Sequence, residues 1–329
     1  MKKLINHTDT VLAESLDGFA TAHADIVTLG PAYEFVRRRS IKPGKVALIS
    51  GGGSGHEPLH AGFIGHGMLD AACPGQVFTS PTPNQMLAAA EAVDTGAGVL
   101  FIVKNYSGDM MNFQMAAEML DRDNATVIVN DDVAVENSTY TTGRRGVAGT
   151  LIVEKMVGAA AERGDPLAAL KALGDAVNKA TASMGVALSS CTVPAAGKPT
   201  FQISDDEMEM GVGIHGEPGR RRVKMASADA IAAELTGAVL KDLQLRPGQQ
   251  VILLVNGFGG TPTLELYVMV NAAMKVLTAA GVKVVRHLTG SYVTSLEMAG
   301  CSVTVTAVDA EQLALWDAPV HTAALRWGM

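Results

Sequence analysis

The sequence predicts an α/β protein with two α/β domains, each a mostly parallel or mixed sheet flanked by helices. Short β-type runs alternate with segments of helical spacing, a pattern typical of parallel strands joined by crossover helices. Hydrophobic residues make up 48% of the 329 residues, aromatic residues only 5%, and there are 35 glycines, which favours packed α/β structure over all-β structure. A chain of this length exceeds the size at which one hydrophobic core usually stops growing, so we expect two domains.

Three buried strands are predicted in the first half of the chain, and each ends in a polar or glycine-rich loop. The strands cover residues 45–50, 98–104 and 125–130, and the loops cover 51–55, 105–109 and 131–132. Segments 84–93 and 110–120 have helical spacing. Loops at the carboxyl ends of parallel strands are where open α/β sheets bind ligands, so we expect functional residues there.

The second half begins after a long helical stretch and again mixes strands with helices. Helices are predicted at 149–161, 166–184 and 263–280, and strands at 185–188, 251–255, 282–286 and 302–307. The end of the helical stretch places the domain boundary between residues 182 and 183. The N-terminal domain, 1–182, then carries the loops GGGSGHEP and KNYSGD, and the C-terminal domain, 183–329, carries the loop GIHGEPG.

Charge and composition argue against several classes of partner. A net charge of −7 disfavours a nucleic acid held by its phosphates, and the basic cluster at 220–224 is interpreted as a solvated loop. Three cysteines far apart in sequence indicate neither a disulfide framework nor a zinc site. No apolar stretch reaches bilayer length and the N-terminus lacks a signal sequence, so we expect no membrane partner and a cytoplasmic location.

The string GGGSGHEP, at 51–58, directly follows the first predicted strand. Glycines there let a ligand approach the backbone closely and let N–H groups point towards it. The string lacks the Gly-Lys-Ser/Thr of a nucleotide phosphate loop and the third glycine of the dinucleotide fingerprint. It ends instead in His56 and Glu57, which can exchange protons. A structural glycine-rich turn is the alternative interpretation.

A second turn, GIHGEPG at 213–219, repeats the histidine, glutamate and proline theme in the second half. Gly213 and Gly216 flank Ile214 and His215, so few bulky side chains surround His215 in sequence. A single histidine of this kind is more often a packing residue than a catalyst. Two such turns in one chain favour a functional role for His56 and His215 together.

The string KNYSGD, at 104–109, ends the second predicted strand. Lys104 can orient a substrate oxygen, and Asp109 can take the proton from a hydroxyl group. The alternative is that Asp109 caps the helix that follows. The acidic clusters at 131–132 and 205–207 lack the alternating spacing of a calcium loop, so we interpret them as solvated loop or cap residues and expect no metal site.

Taken together, the strings resemble the substrate-binding subunit of the dihydroxyacetone kinase family, and the resemblance covers the whole chain. It is carried by GGGSGHEP, PGQVFTSPTP (74–83), KNYSGD, NDDVAVENSTYTTGRRGVAGT (130–150), SSCTVPAAGKP (189–199), GVGIHGEPG (211–219) and LALWDAPVHTAALRWG (313–328). The segments 256–262 and 289–297 also fit the second domain of that family. The combination is far more specific than any one string.

The resemblance implies a role for each matched residue. It implies that His215 attacks the ketone carbon and holds the substrate as a covalent hemiaminal, and that His56 acts as acid and base near the substrate oxygens. It implies that Asp109 deprotonates the hydroxyl that receives the phosphoryl group. The implied substrate-binding set is completed by Gly53, Ser54, Gly55, Ser80 and Lys104.

The resemblance also implies which groups other proteins supply. Fused kinases of the family add a helical nucleotide-binding domain, for which this sequence has no counterpart. We therefore expect no cofactor on this chain, and ADP or ATP with Mg on a separate nucleotide-binding kinase subunit of the DhaL type. A phosphotransferase-system phosphoryl donor of the DhaM type and a homodimer of this chain are the further expectations.

Two other functions and a second substrate stay open at this point. A paralogue of the same fold can capture dihydroxyacetone and act as a transcriptional co-activator, although such a sensor has no need of a base such as Asp109. An aldolase or isomerase could use Lys104 as a Schiff-base nucleophile, but Lys104 follows a polar strand end rather than an apolar pocket. The substrate could be dihydroxyacetone or a short ketose such as erythrulose.

Overall fold

The computed structural model describes residues 2–134 and 143–329, in which a first six-stranded sheet has the order β1-β2-β5-β3-β6-β7. Its strands are β1 (Val27–Leu29), β2 (Val36–Arg38), β3 (Ala47–Ser54), β5 (Ala71–Val77), β6 (Val99–Lys104) and β7 (Asn124–Val129). Strand β3 pairs in parallel with β5 and β6, and β6 pairs in parallel with β7, whereas β1 and β2 are antiparallel additions. The parallel centre predicted from strand and helix alternation is confirmed.

Strand β3 continues through most of the glycine run, where the sequence predicted a loop. A Cβ on Gly51 would lie 2.6 Å from the carbonyl oxygen of Cys73, and one on Gly53 would lie 2.6 Å from the backbone nitrogen of Thr79. Only glycine permits β5 and its following turn to approach this closely. The loop prediction was therefore wrong for 51–54, because the missing side chains serve strand pairing as well as ligand access.

The second sheet is mixed and mostly antiparallel, with the order β10-β9-β8-β13-β11-β12. Its strands are β8 (Thr181–Ala187), β9 (Glu207–Met210), β10 (Arg221–Lys224), β11 (Gln250–Gly257), β12 (Lys283–Gly290) and β13 (Gly300–Ala307). Only β11 and β12 run parallel, and α7 connects them. The other ladders of this sheet are antiparallel.

The helices are α1 (Val11–Ala22), α2 (Pro83–Val93), α3 (Ser107–Met119), α4 (Gly149–Arg163), α5 (Leu167–Lys179), α6 (Ala228–Leu243), α7 (Thr263–Ala279) and α8 (Ala310–Asp317). Helices α2 and α3 pack on the first sheet, and α6 and α7 pack on the second. Helix α4 is buried along nearly its whole length and contacts strands of both sheets. It therefore links the two halves of the chain.

The C-terminal residues return to the first half. Strands β14 (Val320–Thr322) and β15 (Arg326–Trp327) form a three-stranded sheet with β4 (Gly65–His66). Leu325 belongs to the same apolar cluster as Leu16 of α1. The boundary expected between residues 182 and 183 falls inside β8, and a division of the chain at that point stays a prediction.

Two further predictions of local structure were wrong, and one motif lies partly outside the described ranges. The segment 166–184 is not one helix, because the Thr181 and Ser183 hydroxyls bond those of Thr306 and Thr304 on β13. The basic cluster forms edge strand β10, not a loop, and Arg222 donates to Glu209 across the ladder. The family string 130–150 is described except for 135–142.

Candidate functional site

Two histidines from opposite halves of the chain meet at the carboxyl edge of the first sheet. His56 follows β3, and His215 lies in the turn between β9 and β10. Their Nε2 atoms are 3.2 Å apart. His56 is buried, whereas His215 is partly exposed. The structure therefore brings together the two histidines that the sequence singled out, with His215 on the accessible side.

The hydrogen bonds define which nitrogen of each ring carries a proton. Nδ1 of His56 lies 2.7 Å from the carbonyl oxygen of Thr294, which can only accept, so Nδ1 donates. Burial, with the charge of Lys104, lowers the pKa of His56 to about 3 and keeps the ring neutral. Nε2 of His56 must then accept, and Nε2 of His215 donates to it. Nδ1 of His215 has no partner among the described residues.

Aromatic rings enclose the histidine pair. The ring of Phe78 stacks on His56 at a centroid distance of 5.0 Å, and the ring of Tyr106 meets His215 edge-on at 4.1 Å. Phe78 has a φ of +56°, an uncommon conformation for a residue with a side chain. Burial lowers the pKa of His215 well below its usual value, and His56 and Lys104 act in the same direction. Both imidazoles are therefore neutral near pH 7 and available for acid, base or nucleophilic chemistry.

Lys104 and Asp109 form a buried ion pair beside the glycine strand. Lys104 ends β6, and Asp109 lies in the first turn of α3. Their Nζ and Oδ2 atoms are 3.5 Å apart. Oδ1 of Asp109 is buried and has no hydrogen-bond partner among the described residues. An uncommitted carboxylate oxygen of this kind is available to a ligand hydroxyl.

The two serines of the predicted substrate-binding set, Ser54 and Ser80, have different surroundings in the structure. The Ser54 hydroxyl donates to the Gly75 carbonyl oxygen at 2.7 Å, so it fastens β3 to β5. Only the backbone of Gly53, Ser54 and Gly55 stays a candidate for ligand contact. The Ser80 Oγ lies beside Gly108, at 2.8 Å from the position a Cβ would occupy there.

A buried salt bridge holds the turn that carries His215. Arg145 donates to Glu217 at 2.6 Å and to Asp132 at 2.7 Å. It also donates to the Gly211 carbonyl oxygen at 2.8 Å. The three charged side chains are at most 7% exposed. The glutamate of GIHGEPG is thus a structural anchor for His215 and not a second acid at the site.

Replacing Arg145 with methionine should lower the free energy of unfolding by about 3–5 kcal/mol, because it leaves the buried carboxylates of Asp132 and Glu217 without their cationic partner. Burial already raises the pKa of Asp132 and Glu217, and Arg145 opposes that rise. Without Arg145 both folded-state pKa values rise further above the unfolded values, so the stability deficit should grow with increasing pH. Denaturant titrations of the wild type and the variant at pH 5 and pH 8 measure this difference in the free energy of unfolding. The exposed Arg163→Met serves as control, and equal stability of the two variants at pH 8 would refute the anchor role.

Several site residues were not singled out from the sequence. Phe78 and Tyr106 lie inside quoted family strings, and Thr294 lies within 289–297, but their contacts depend on the fold. Arg145 also lies in a quoted string. Glu154 could have been singled out from the sequence, because it interrupts the apolar run of α4, where a carboxyl group is buried and needs a partner.

The described part of the chain shows neither a metal centre nor a membrane-spanning helix. No group of three or more potential ligand residues there could hold a metal ion. Asp131 instead accepts from the backbone nitrogens of Val147 and Gly149 at the start of α4, at 2.8 and 2.7 Å, which is a cap role. Within the same ranges no helix is both long enough and apolar enough to cross a bilayer.

Comparison with protein families gives a match over most of the chain. The Dak1 domain profile matches residues 17–324. This range includes His56, His215, Lys104 and Asp109 and ends between strands β14 and β15.

Three individual proteins show how far the similarity extends. The dihydroxyacetone-binding subunit DhaK of PTS-dependent dihydroxyacetone kinase 1 from Listeria innocua is 51% identical over 95% of this chain and 96% of its own length. The dihydroxyacetone-binding subunit DhaK of the PEP-dependent kinase from Escherichia coli is 49% identical over all of both chains. The solved dihydroxyacetone kinase operon co-activator Dha-DhaQ superposes with a TM-score of 0.89 at 33% identity, covering 94% of this chain and 96% of that one.

Proposed function

This chain belongs to the Dak1 domain family, and from that premise we propose that it is the dihydroxyacetone-binding subunit of a phosphotransferase-system-dependent dihydroxyacetone kinase. The reaction class is phosphoryl transfer to an alcohol group. The contact between His56 and His215 at 3.2 Å is the observation that carries the proposal for the site. It sets a candidate nucleophile and its proton acceptor side by side, with the rings of Phe78 and Tyr106 against them.

In the proposed capture step, His215 bonds to the carbonyl carbon of the substrate. Nε2 of His56 removes the proton from Nε2 of His215, which frees an in-plane electron pair for attack. The carbonyl π electrons move to the oxygen, and His56 returns the proton there. One N–C bond forms, no charge remains, and the product is a neutral hemiaminal. The Thr294 carbonyl holds His56 in the tautomer that this exchange needs.

Covalent capture explains how so small a ligand can be recognised. A triose has about six heavy atoms, and even the best small ligands gain at most about 1.5 kcal/mol from each. Glycerol offers the same kinds of hydroxyl, so hydrogen bonds alone discriminate poorly. A bond that forms only with a carbonyl carbon rejects glycerol and leaves the substrate hydroxyls positioned for reaction.

In the proposed transfer step, Asp109 takes the proton of the substrate's terminal hydroxyl while the hydroxyl oxygen bonds to the γ-phosphorus of ATP on the partner subunit, and the bond from that phosphorus to ADP breaks. Oδ1 of Asp109 is the buried acceptor without a partner, and Lys104 balances the charge of the carboxylate from 3.5 Å. Lys104 and the backbone of Gly53 to Gly55 would hold the remaining substrate oxygens. Ser80, which precedes α2 and lies beside Gly108 of α3, would also contact the substrate.

The partners form part of the same proposal. A nucleotide-binding subunit of the DhaL type would bring ADP or ATP with Mg, and a DhaM-type protein of the phosphotransferase system would supply the phosphoryl group. We also propose that this chain forms a homodimer. A cytoplasmic location fits the three cysteines, which are buried and unpaired as in reducing compartments. Dihydroxyacetone is the proposed substrate, with erythrulose as the nearest alternative.

The purified chain should phosphorylate no short ketose when it is given ATP and Mg alone. Turnover should appear when the nucleotide-binding subunit and its phosphoryl donor are added, because catalysis on this chain is confined to capturing the ketone and activating its hydroxyl. A coupled assay of triose phosphate formation measures this. Turnover by the chain alone, equal to that of the complete mixture, would contradict the proposal.

A transcriptional co-activator of the same fold is the second candidate, favoured by the likeness to Dha-DhaQ. A sensor needs the ketone anchor but not a proton acceptor for phosphoryl transfer. The uncommitted Asp109 oxygen supports the kinase subunit over this candidate. Ketone binding without turnover in the complete mixture would instead support the sensor.

A further inference from the structure

A row of buried polar side chains continues from Lys104 away from the substrate site. Nζ of Lys104 lies 2.8 Å from Nε2 of His60, and Nδ1 of His60 lies 2.6 Å from Oε1 of Glu154. Lys104 and Glu154 are 0% exposed and His60 is 6% exposed. The three residues come from β6, from the turn after β3 and from α4, so three separate elements converge to form the row.

The bonding capacity of Lys104 defines the direction of these hydrogen bonds. Its ammonium group has three N–H donors and no acceptor. Three groups surround it: the Gly51 carbonyl oxygen at 3.2 Å, Nε2 of His60 at 2.8 Å and Oδ2 of Asp109 at 3.5 Å. Each can accept, so a protonated Lys104 is fully satisfied. Nε2 of His60 must then be the unprotonated nitrogen of that ring.

The other side of His60 agrees with that assignment. Burial lowers the pKa of His60 well below its usual value, so the ring is neutral and carries its one proton on Nδ1. That proton points at Glu154 and at Ser50 Oγ, 3.0 Å away. The Ser50 hydroxyl donates to the Ile102 carbonyl oxygen at 2.6 Å, which leaves its electron pairs free to accept.

Taking the proposed function as given, we infer that His60 and Glu154 are positioning residues for Lys104. Glu154 holds His60 with Nδ1 protonated, and Nε2 of His60 then holds the Lys104 ammonium group against Asp109. Among the described residues, no hydrogen bond or ring contact joins His60 or Glu154 to His56 or His215. Their loss should therefore slow phosphoryl transfer and leave ketone capture unchanged.

Two substitutions at His60 separate its two hydrogen bonds. In His60→Gln the side-chain carbonyl can reach the place of Nε2 and accept from Lys104. In His60→Asn the shorter amide can replace only Nδ1 and donate to Glu154. We expect kcat in the complete kinase mixture to fall about 10–100-fold in His60→Asn, with little change in KM for the ketone, and His60→Gln to recover most of that loss.

Glu154 is tested against a carboxylate on the same helix. Glu154→Met removes the hydrogen-bond acceptor of His60 Nδ1 and keeps a side chain of similar length, whereas Glu162→Met removes a carboxylate two turns further along α4 that pairs with Arg38. We expect Glu154→Met to lower kcat by about 10-fold and Glu162→Met to leave kcat unchanged. Equal losses of kcat in the Glu154 and Glu162 variants would overturn the inference, as would equal losses in the two His60 variants. Either result would show that the row of polar side chains only packs the interior.

A spectroscopic measurement decides the arrangement without any turnover. Nitrogen NMR of histidine-labelled protein should show His60 protonated on Nδ1 and unprotonated on Nε2, with the signals assigned by their absence in His60→Gln. Burial raises the pKa of Glu154 to about 8, so the competing arrangement has a neutral Glu154 donating to Nδ1 and a neutral Lys104. A proton on Nε2 of His60 would overturn the inference. Absence of ketose phosphorylation by the wild-type mixture would instead refute the proposed function, and the NMR result would still stand.

Discussion

Replacing Asp109 with asparagine should lower the rate of phosphoryl transfer by about 10²–10⁴-fold while ketone capture stays largely intact. The amide has nearly the size of the carboxylate but cannot take a proton from the substrate hydroxyl. Oδ1 of Asp109 is buried without a partner, so the substitution breaks no hydrogen bond at that atom. Steady-state kinetics of the complete kinase mixture give the rate, and intact-protein mass gives the extent of capture.

Glu118→Gln is the matched control for Asp109→Asn, because it makes the same change at an exposed position of the same helix. We expect its rate to equal that of the wild type. If folded Asp109→Asn protein failed to bind ketone, Asp109 would be a binding or helix-capping residue. If it kept the wild-type rate, another group would have to be the proton acceptor.

Replacing His215 with alanine should remove the preference for ketone over glycerol. The remaining contacts are hydrogen bonds worth about 0.5–1.5 kcal/mol each, and both ligands can make them. We therefore expect the dissociation constant for dihydroxyacetone to rise at least about 100-fold, to that of glycerol. Calorimetric titration with both ligands measures the two constants.

His287→Ala provides the control for His215→Ala, since His287 is exposed on β12. It should bind dihydroxyacetone as the wild type does. A His215→Ala protein that still preferred the ketone by the wild-type margin would show that recognition depends on something other than a bond to this ring.

The position of much of the site could be predicted from the sequence. His56 follows the buried strand β3, Lys104 ends the buried strand β6, and the ends of parallel neighbours meet at one edge of a sheet. That rule places Asp109 in the same region, in the first turn of the next helix. The alternation of strands and helices was enough to predict the parallel centre of the first sheet.

The contact that gives the site its chemistry could not be predicted from spacing. His56 and His215 are separated by 159 positions, and only the packing of the two halves brings them together. The ring of Phe78 reaches His56 from a backbone conformation that no sequence rule assigns to phenylalanine. A mixed second sheet is one of the two predicted alternatives, but strands β9 and β10 were not predicted, because they are short, carry several charged residues and lack the pattern of buried strands.

Intact-protein mass spectrometry under mild conditions can show whether His215 holds the ketone through a covalent bond. We expect one full substrate mass added per chain, because a hemiaminal forms without loss of water. We expect no adduct on His215→Ala and no trapping of the wild type by borohydride, since there is no imine to reduce. A mass increase short by one water, trapped by borohydride and mapped to Lys104, would rule out capture by His215, as would an adduct that survives in His215→Ala.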